Sequence, residues 1–119
     1  MTDSATATAR SALAAISLGF GAAGVLAPRT LAKLYDAPEP TPEHIYTLRI
    51  WAAATSALGV LGLMDDAIDD ERYLQIGIGV NLIDAVAGAT ADATPRFRIM
   101  TALTSLGLAS MAGAALADA

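Results

Sequence analysis

The chain has no cysteine, few aromatic side chains (5%) and few charged ones (16%). The missing cysteine excludes disulfides, thiolate metal sites and thiol redox chemistry. Acidic residues outnumber basic ones by 12 to 7, so the basic surface that nucleic acid requires is lacking and we expect no nucleic-acid partner. At 119 residues, the chain is expected to form a single domain.

Apolar residues make up 55% of the chain, and they are collected into runs without charge at 11–28, 50–64 and 99–117. A soluble amphipathic helix presents a polar face on every turn, and these runs present none. The sequence therefore predicts a multi-pass integral membrane protein, with the lipid membrane as its partner. With one Lys against six Arg, the composition resembles that of a high-GC or salt-adapted organism, so the expected location is the cell membrane of a prokaryote.

A fourth apolar stretch, Tyr73–Asp92, carries Asn81 and Asp84 in its middle. In a helix, Gly77, Asn81, Asp84 and Gly88 share one face, since they are four, three and four residues apart. A carboxyl group in a bilayer is costly unless another group answers it. We therefore expect this face to look inward.

These runs predict an all-α fold, an antiparallel four-helix transmembrane bundle with helices at about 10–27, 43–64, 72–92 and 97–116. Residues 1–9 are expected to be frayed, or helical only at their end. Thr41, followed by Pro42 and Glu43, predicts a helix start. The excess of Lys and Arg near the first and third loops predicts that these loops are cytoplasmic.

Small residues recur every four positions in two of the predicted helices, a pattern by which membrane helices approach each other closely. They are Ala15, Gly19, Ala23 and Ala27 in the first helix, and Ser105, Ala109 and Gly113 in the last. We expect both ridges to face other helices.

The candidate site lies between the second and third predicted helices. If these are antiparallel neighbours, Arg49 and Asp84 are offset by about 4.5 Å along the helix axis, which an arginine can reach. Two interpretations stay open: an internal ion pair that fixes the register of the bundle, or a polar pocket. The catalytic candidates are Asp84, Arg49 and Asn81. The candidate ligand-binding residues are these three together with His44 and Tyr46.

No metal site and no cofactor are predicted. The acidic turn from Asp65 to Arg72 lacks the ordered ligand spacing of a calcium loop, and we interpret it as a solvated turn.

Three segments resemble the small four-helix membrane proteins of the DoxX-like group. They are LAPRTLAKLYDAP after the first helix, LRIWAAATSALGVLGL in the second, and NLID in the third. The resemblance implies an antiparallel four-helix membrane bundle. For DoxX itself it implies association with quinone-linked sulfur oxidation or with a membrane oxidoreductase complex.

The function expected first is a non-catalytic membrane module that binds a lipophilic small molecule or associates with a larger membrane complex. One alternative is a small intramembrane enzyme that acts on a lipid, quinone or isoprenoid, with Asp84 as the acid or base. Another is a purely structural homo-oligomer.

Overall fold

The computed structural model describes residues 2–35, 41–64 and 66–118, and every regular element among them is a helix. The predicted all-α class is confirmed. The helices are α1 (Thr2–Leu26), α2 (Pro28–Leu34), α3 (Pro42–Leu63), α4 (Asp70–Ala89) and α5 (Pro95–Ala117). Residues 36–40 and Asp65, which the sequence places in loops, lie outside this description.

Three of these helices begin at a side chain that accepts a hydrogen bond from the first turn. Thr41 Oγ1 accepts from His44 N at 3.3 Å before α3, which confirms the predicted start. Asp69 caps α4 and Thr94 caps α5 in the same way, at 2.8 and 3.2 Å. Such caps satisfy amide groups that have no partner inside the helix.

α1 begins at Thr2, before the expected start near residue 10, and from Thr6 onward it packs against other helices. Ala9 belongs to the same buried cluster as Ala112 and Ala115 at the end of α5. Thr6 and Arg10 are buried as well. Burial of this segment against α5 stabilises helical structure that the sequence of residues 1–9 does not favour strongly by itself.

α1 is the central helix. It packs antiparallel against α3 along its length and also contacts α4 and α5, while α4 and α5 form a second tightly packed pair. α3 and α4 follow each other in the chain but hardly approach one another. The bundle therefore consists of two helix pairs joined through α1.

Glycines let α1 and α3 come close. A Cβ atom on Gly59 would lie 2.6 Å from Leu18 Cγ and 2.9 Å from the carbonyl oxygen of Ala14. A Cβ on Gly21 would overlap the Ser56 hydroxyl group. Small residues at such positions allow helices in a membrane to pack backbone against backbone.

The ridge predicted in α1 does not make these contacts. Ala15 and Ala27 are exposed, and a Cβ on Gly19 would meet nothing within 4 Å. That prediction was wrong because small residues also line the neighbouring face through Gly21 and Gly24, and spacing alone does not choose between the two faces.

In α5, Ser105 and Ala109 are buried as predicted. The buried stripe continues through Ala112, whereas Gly113 is open to the outside.

Within the described residues, three helical segments are long and apolar enough to cross a membrane: Ala5–Leu26, Pro42–Leu63 and Pro95–Ala117. They support the prediction of an integral membrane protein. α4 is not among them, because its 20 residues include the charged first turn and the polar residues Gln75, Asn81 and Asp84.

Candidate functional site

The structure separates the residues that the sequence had grouped into one site. His44, Tyr46 and Arg49 are all exposed on the first turns of α3. Asn81 is buried in α4, and Asp84, one turn further along, is half-buried. The α3 residues therefore do not join Asn81 and Asp84 in a common pocket.

The expected ion pair between Arg49 and Asp84 is not formed. In the part of the chain that the structure describes, the ion pairs are Arg10–Asp70 and Arg72–Asp69. Trp51 is instead the residue of α3 that lies near Asp84. Residues two apart in a helix do not share a face, so the face that brings Trp51 to Asp84 turns Arg49 outward.

The side-chain amide of Asn81 is held by its own helix, because Nδ2 donates to the carbonyl oxygen of Gly77 at 2.8 Å. A Cβ on Gly77 would collide with Leu13 of α1. α1 and α4 run in the same direction. Asn81 and Ser17, each four residues beyond the contact between Gly77 and Leu13, therefore lie at the same height along the bundle, and Ser17 is 4% exposed.

A second serine lies at the level of Asp84. A Cβ on Gly88 would overlap the side chain of Thr101, so these two residues face each other across the antiparallel α4–α5 pair. Asp84 lies four residues before Gly88 in α4, and Ser105 lies four residues after Thr101 in α5. Because these helices are antiparallel, Asp84 and Ser105 lie at the same height along the bundle, and Ser105 is 8% exposed. We name Ser17, Asn81, Asp84 and Ser105 the polar layer.

The serine hydroxyl groups of the polar layer are accessible. Neither Ser17 nor Ser105 makes a hydrogen bond with the described residues, yet every fully buried polar side-chain atom among these residues has a partner. The two hydroxyl oxygens therefore keep a small opening to a water-sized molecule.

A polar centre that the sequence analysis missed surrounds Arg10. Its guanidinium group is buried and reaches the end of α3 and the turn that follows. It donates hydrogen bonds to the carbonyl oxygens of Gly62 (2.8 Å), Ile68 (2.6 Å), Met64 (2.9 Å) and Leu61 (3.5 Å), and to Asp70 Oδ1 (3.0 Å).

This arrangement is structural. A cation at a helix C-terminus satisfies carbonyl groups that have no partner within the helix, and it interacts favourably with the helix dipole. The Tyr73 ring lies 5.3 Å from Arg10 Cζ and its hydroxyl group donates to the carbonyl oxygen of Leu58 at 2.9 Å. Because its donors are used within the chain, the guanidinium group ties α1, α3 and α4 together and leaves no free donor for a ligand.

One signal in the sequence could have revealed this centre. Thr6, Arg10, Leu13 and Ser17 are four, three and four residues apart, so in a helix they form one stripe, and all four are buried. Because residues 1–9 were expected to be frayed, Thr6 was not counted as part of a helix and the stripe was not predicted.

The arrangement as a whole offers one acidic group with hydrogen-bonding neighbours and no assembled acid–base set. Among the described residues, no three His, Cys, Asp or Glu side chains come together as metal ligands. The open cleft between the first turns of α1 and the last turns of α5 is lined mainly by alanines and lies far from Asp84. Asp84 with Trp51 and the polar layer is therefore the candidate functional site.

No known protein-family model, curated protein or solved structure matches the chain.

Proposed function

We propose that the chain is an antiparallel four-helix transmembrane bundle, in which α1, α3, α4 and α5 each cross the membrane once. We propose further that it is a non-catalytic module that binds a lipophilic small molecule or associates with a larger membrane complex. The observation that carries the first proposal is the distribution of side-chain size and polarity, which is the reverse of that in a soluble protein.

Large apolar side chains lie on the outside of all four long helices. They include Ile16, Val25, Leu26, Ile50, Val60, Leu63, Ile83, Val86, Ile99, Leu103 and Leu106. Many of the buried positions are instead small or polar, such as Ala14, Gly59 and Asn81. A water-soluble protein rarely exposes such extended apolar surface. Lipid would cover it at no cost, while the small interior residues let the helices pack.

α4 shares this pattern although its first turn is charged and its middle carries Asn81 and Asp84. Ile76, Val80 and Ile83 are exposed, whereas Gly77 and Asn81 face inward. With its charged first turn at one membrane surface, the rest of α4 would stand in the lipid beside α1 and α5. This supports α4 as the fourth crossing.

The cysteine-free sequence makes this proposal directly testable by single-cysteine labelling in intact cells with a membrane-impermeant maleimide. Thr30→Cys, Ala67→Cys and Asp92→Cys all replace exposed residues outside the long helices. If α4 crosses the membrane, Ala67→Cys and Asp92→Cys react from opposite sides, and Thr30→Cys reacts from the same side as Asp92→Cys. Reaction of Ala67→Cys and Asp92→Cys from the same side would refute the four-crossing bundle.

The same labelling tests orientation. We propose that the first and third loops are cytoplasmic, because Arg29, Lys33, Arg96 and Arg98 lie near them. In intact cells, Ala67→Cys should then react with the maleimide, while Thr30→Cys and Asp92→Cys should react only after permeabilisation. The reverse pattern would overturn this orientation.

The ligand-binding part of the proposal is supported by Asp84. Its carboxyl group has no cationic partner among the described residues, and acidic groups retained inside a membrane are functional candidates. The same carboxyl group is what favours the enzyme alternative, but His44 and Arg49 are exposed and Arg49 does not pair with it. We therefore place a catalytic role second.

Mass spectrometry of the protein purified in mild detergent tests this part. A lipophilic small molecule that copurifies with the wild type and is lost from Asp84→Asn supports a ligand-binding module. Turnover of an added lipid, quinone or isoprenoid that Asp84→Asn abolishes would favour the enzyme. A stable complex of several copies without any ligand would favour the homo-oligomer. None of these outcomes tests the resemblance to the DoxX-like group, which stays a prediction.

A further inference from the structure

We propose that Lys33, Arg96 and Arg98 form a binding site for the headgroup of an anionic phospholipid, where the end of α2 meets the first turn of α5. We name these three residues the basic triad. The inference rests on the proposed position of the bundle in the membrane, and it is independent of a ligand at Asp84.

The contacts that join α2 to α5 are the first step. The Tyr35 ring, which follows α2 directly, packs edge to face against Phe20 of α1 and Phe97 of α5, with ring centroids 6.4 and 6.3 Å away. The Tyr35 hydroxyl group is also 3.3 Å from Thr104 Oγ1, within hydrogen-bond distance. Leu31, in the middle of α2, is 8% exposed, since α2 packs against α1 and α3. The end of α2 is therefore fixed beside the start of α5.

The second step is the position of the basic triad around this contact. Arg96 and Arg98 are the sequence neighbours of Phe97, and Lys33 lies two residues before Tyr35. The three basic side chains are exposed, whereas Tyr35 and Phe97 are partly buried. The packing of the two rings thus brings cations from two helices to one surface.

The third step is that the basic triad has no ion-pair partner in the described part of the chain. Arg10 and Arg72, at the opposite end of the bundle, pair with Asp70 and Asp69 at 3.0 and 3.6 Å. The other five cations pair with none of the described acids; they are Arg29, Lys33, Arg49, Arg96 and Arg98. Neighbouring like charges repel each other, so an anion that binds among them removes an unfavourable interaction.

Two acidic residues of this end are described, and they do not neutralise the basic triad. Glu43 and Asp92 are exposed, and neither forms an ion pair with the described residues. Asp36 and Glu39 lie outside the described residues. A phosphate group suits the triad, because a guanidinium group can donate two parallel hydrogen bonds to its oxygens and an ammonium group adds a point charge.

The fourth step identifies the anion as a lipid headgroup. Ile99, Leu103 and Leu106 are 58%, 65% and 44% exposed on α5. They follow Arg96 at intervals of three, four and three residues, so they share its side of the helix. A phospholipid can place its headgroup at the triad and its acyl chains along this apolar surface, whereas a free phosphate would use the cations alone. Basic side chains at the membrane surface attract anionic lipids, and basic pockets between helices bind their headgroups.

Native mass spectrometry of the full chain, released from a neutral detergent, tests the inference by counting bound lipids. Palmitoyl-oleoyl phosphatidylglycerol is the anionic probe, and phosphatidylcholine with the same acyl chains is the neutral control. Glycerol phosphate serves as a headgroup without acyl chains.

We expect phosphatidylglycerol to bind at least about tenfold more tightly than phosphatidylcholine, a difference of about 1.4 kcal/mol. The variant Lys33→Gln/Arg96→Gln/Arg98→Gln should lose this preference and keep its helical circular dichroism, because all three side chains are exposed. The matched control, Arg29→Gln/Arg49→Gln/Arg72→Gln, removes the same number of exposed cations and should bind like the wild type. Tyr35→Ala keeps every cation but loses the contact between α2 and α5, so it should weaken the preference.

Equal binding of the two phospholipids, an unchanged preference in the triad variant, or an equal loss in the matched control would overturn the inference. An unchanged preference in Tyr35→Ala would also overturn it, as would equally tight binding of glycerol phosphate, because a soluble anion would then be the ligand. Failure here is distinguishable from failure of the proposed function. Cysteine labelling reports the four crossings, and copurification reports a ligand at Asp84, whether or not phosphatidylglycerol binds.

Discussion

Removing the Arg10 side chain should destabilise the bundle more than any other single substitution of a charged residue among those that the structure describes. In Arg10→Ala, the carbonyl groups at the end of α3 lose their donors, and Asp70 loses its cation. The methylene groups of the arginine also leave space beside Tyr73, whose ring packs against the guanidinium group.

The magnitude follows from burial. The Arg10 side chain is 7% exposed, and breaking a buried ion pair from one side costs about 3–5 kcal/mol. Asp70 is 37% exposed, so water can replace part of its interaction, and Asp70→Asn should cost only about 1 kcal/mol. Arg10→Lys keeps the charge but not the planar fork of donors, so it should restore only part of the lost stability.

The assay is reversible unfolding in mixed micelles, with helical circular dichroism followed as the fraction of denaturing detergent increases. The expected order of stability is wild type, Asp70→Asn, Arg10→Lys and Arg10→Ala. A loss below about 1 kcal/mol for Arg10→Ala would show that the guanidinium group does not hold the helices together. A loss for Asp70→Asn as large as that for Arg10→Ala would mean that the ion pair, rather than the carbonyl groups, provides the stability.

Three further predictions use the same unfolding assay. Arg49→Ala should change the free energy of unfolding by less than about 0.5 kcal/mol, because Arg49 is exposed and does not pair with Asp84. A loss above about 2 kcal/mol would instead support the ion pair expected from the sequence. Gly59→Ala should cost about 1–3 kcal/mol, because the added Cβ would meet Leu18 and the backbone of Ala14. The matched variant Gly19→Ala places its Cβ in open space and should be neutral or stabilising. Equal effects of the two substitutions would contradict the packing of α1 against α3. Thr41→Ala should cost about 0.5–2 kcal/mol through loss of the α3 cap, and Thr41→Ser should be close to the wild type.

The elements of the fold could be predicted from the sequence because local chemistry determines them. Runs without charge indicate helices in lipid, and Thr41 before Pro42 indicates the start of α3, which the structure has at that place. The inward position of Asn81 followed from the spacing of four and three residues in α4. In each case the signal lies within a few turns of the residue concerned.

The arrangement of the two arginines could not be predicted in this way. Arg49 was expected to reach Asp84 inside the bundle, whereas the structure places Arg49 outside and Arg10 inside. Whether an arginine faces inward depends on which helices are neighbours. A short connection favours packing of α3 against α4, whereas in the structure α1 takes the position between the two helix pairs.

The same arrangement explains why Asp84 is the functional candidate. With α1 in the centre, a cation from α1 can reach the end of α3 and the first turn of α4, and Arg10 does so through Gly62 and Asp70. Further along α4, the α1 residue level with Asn81 is Ser17, which carries no charge. Arg10 thus pairs with Asp70 where three helices are held together. Asp84 lies where α3 and α4 stand apart, and it forms no ion pair with the described residues. Acidic groups inside a membrane bundle are functional candidates, and this is why we propose Asp84 as the point at which a ligand would bind.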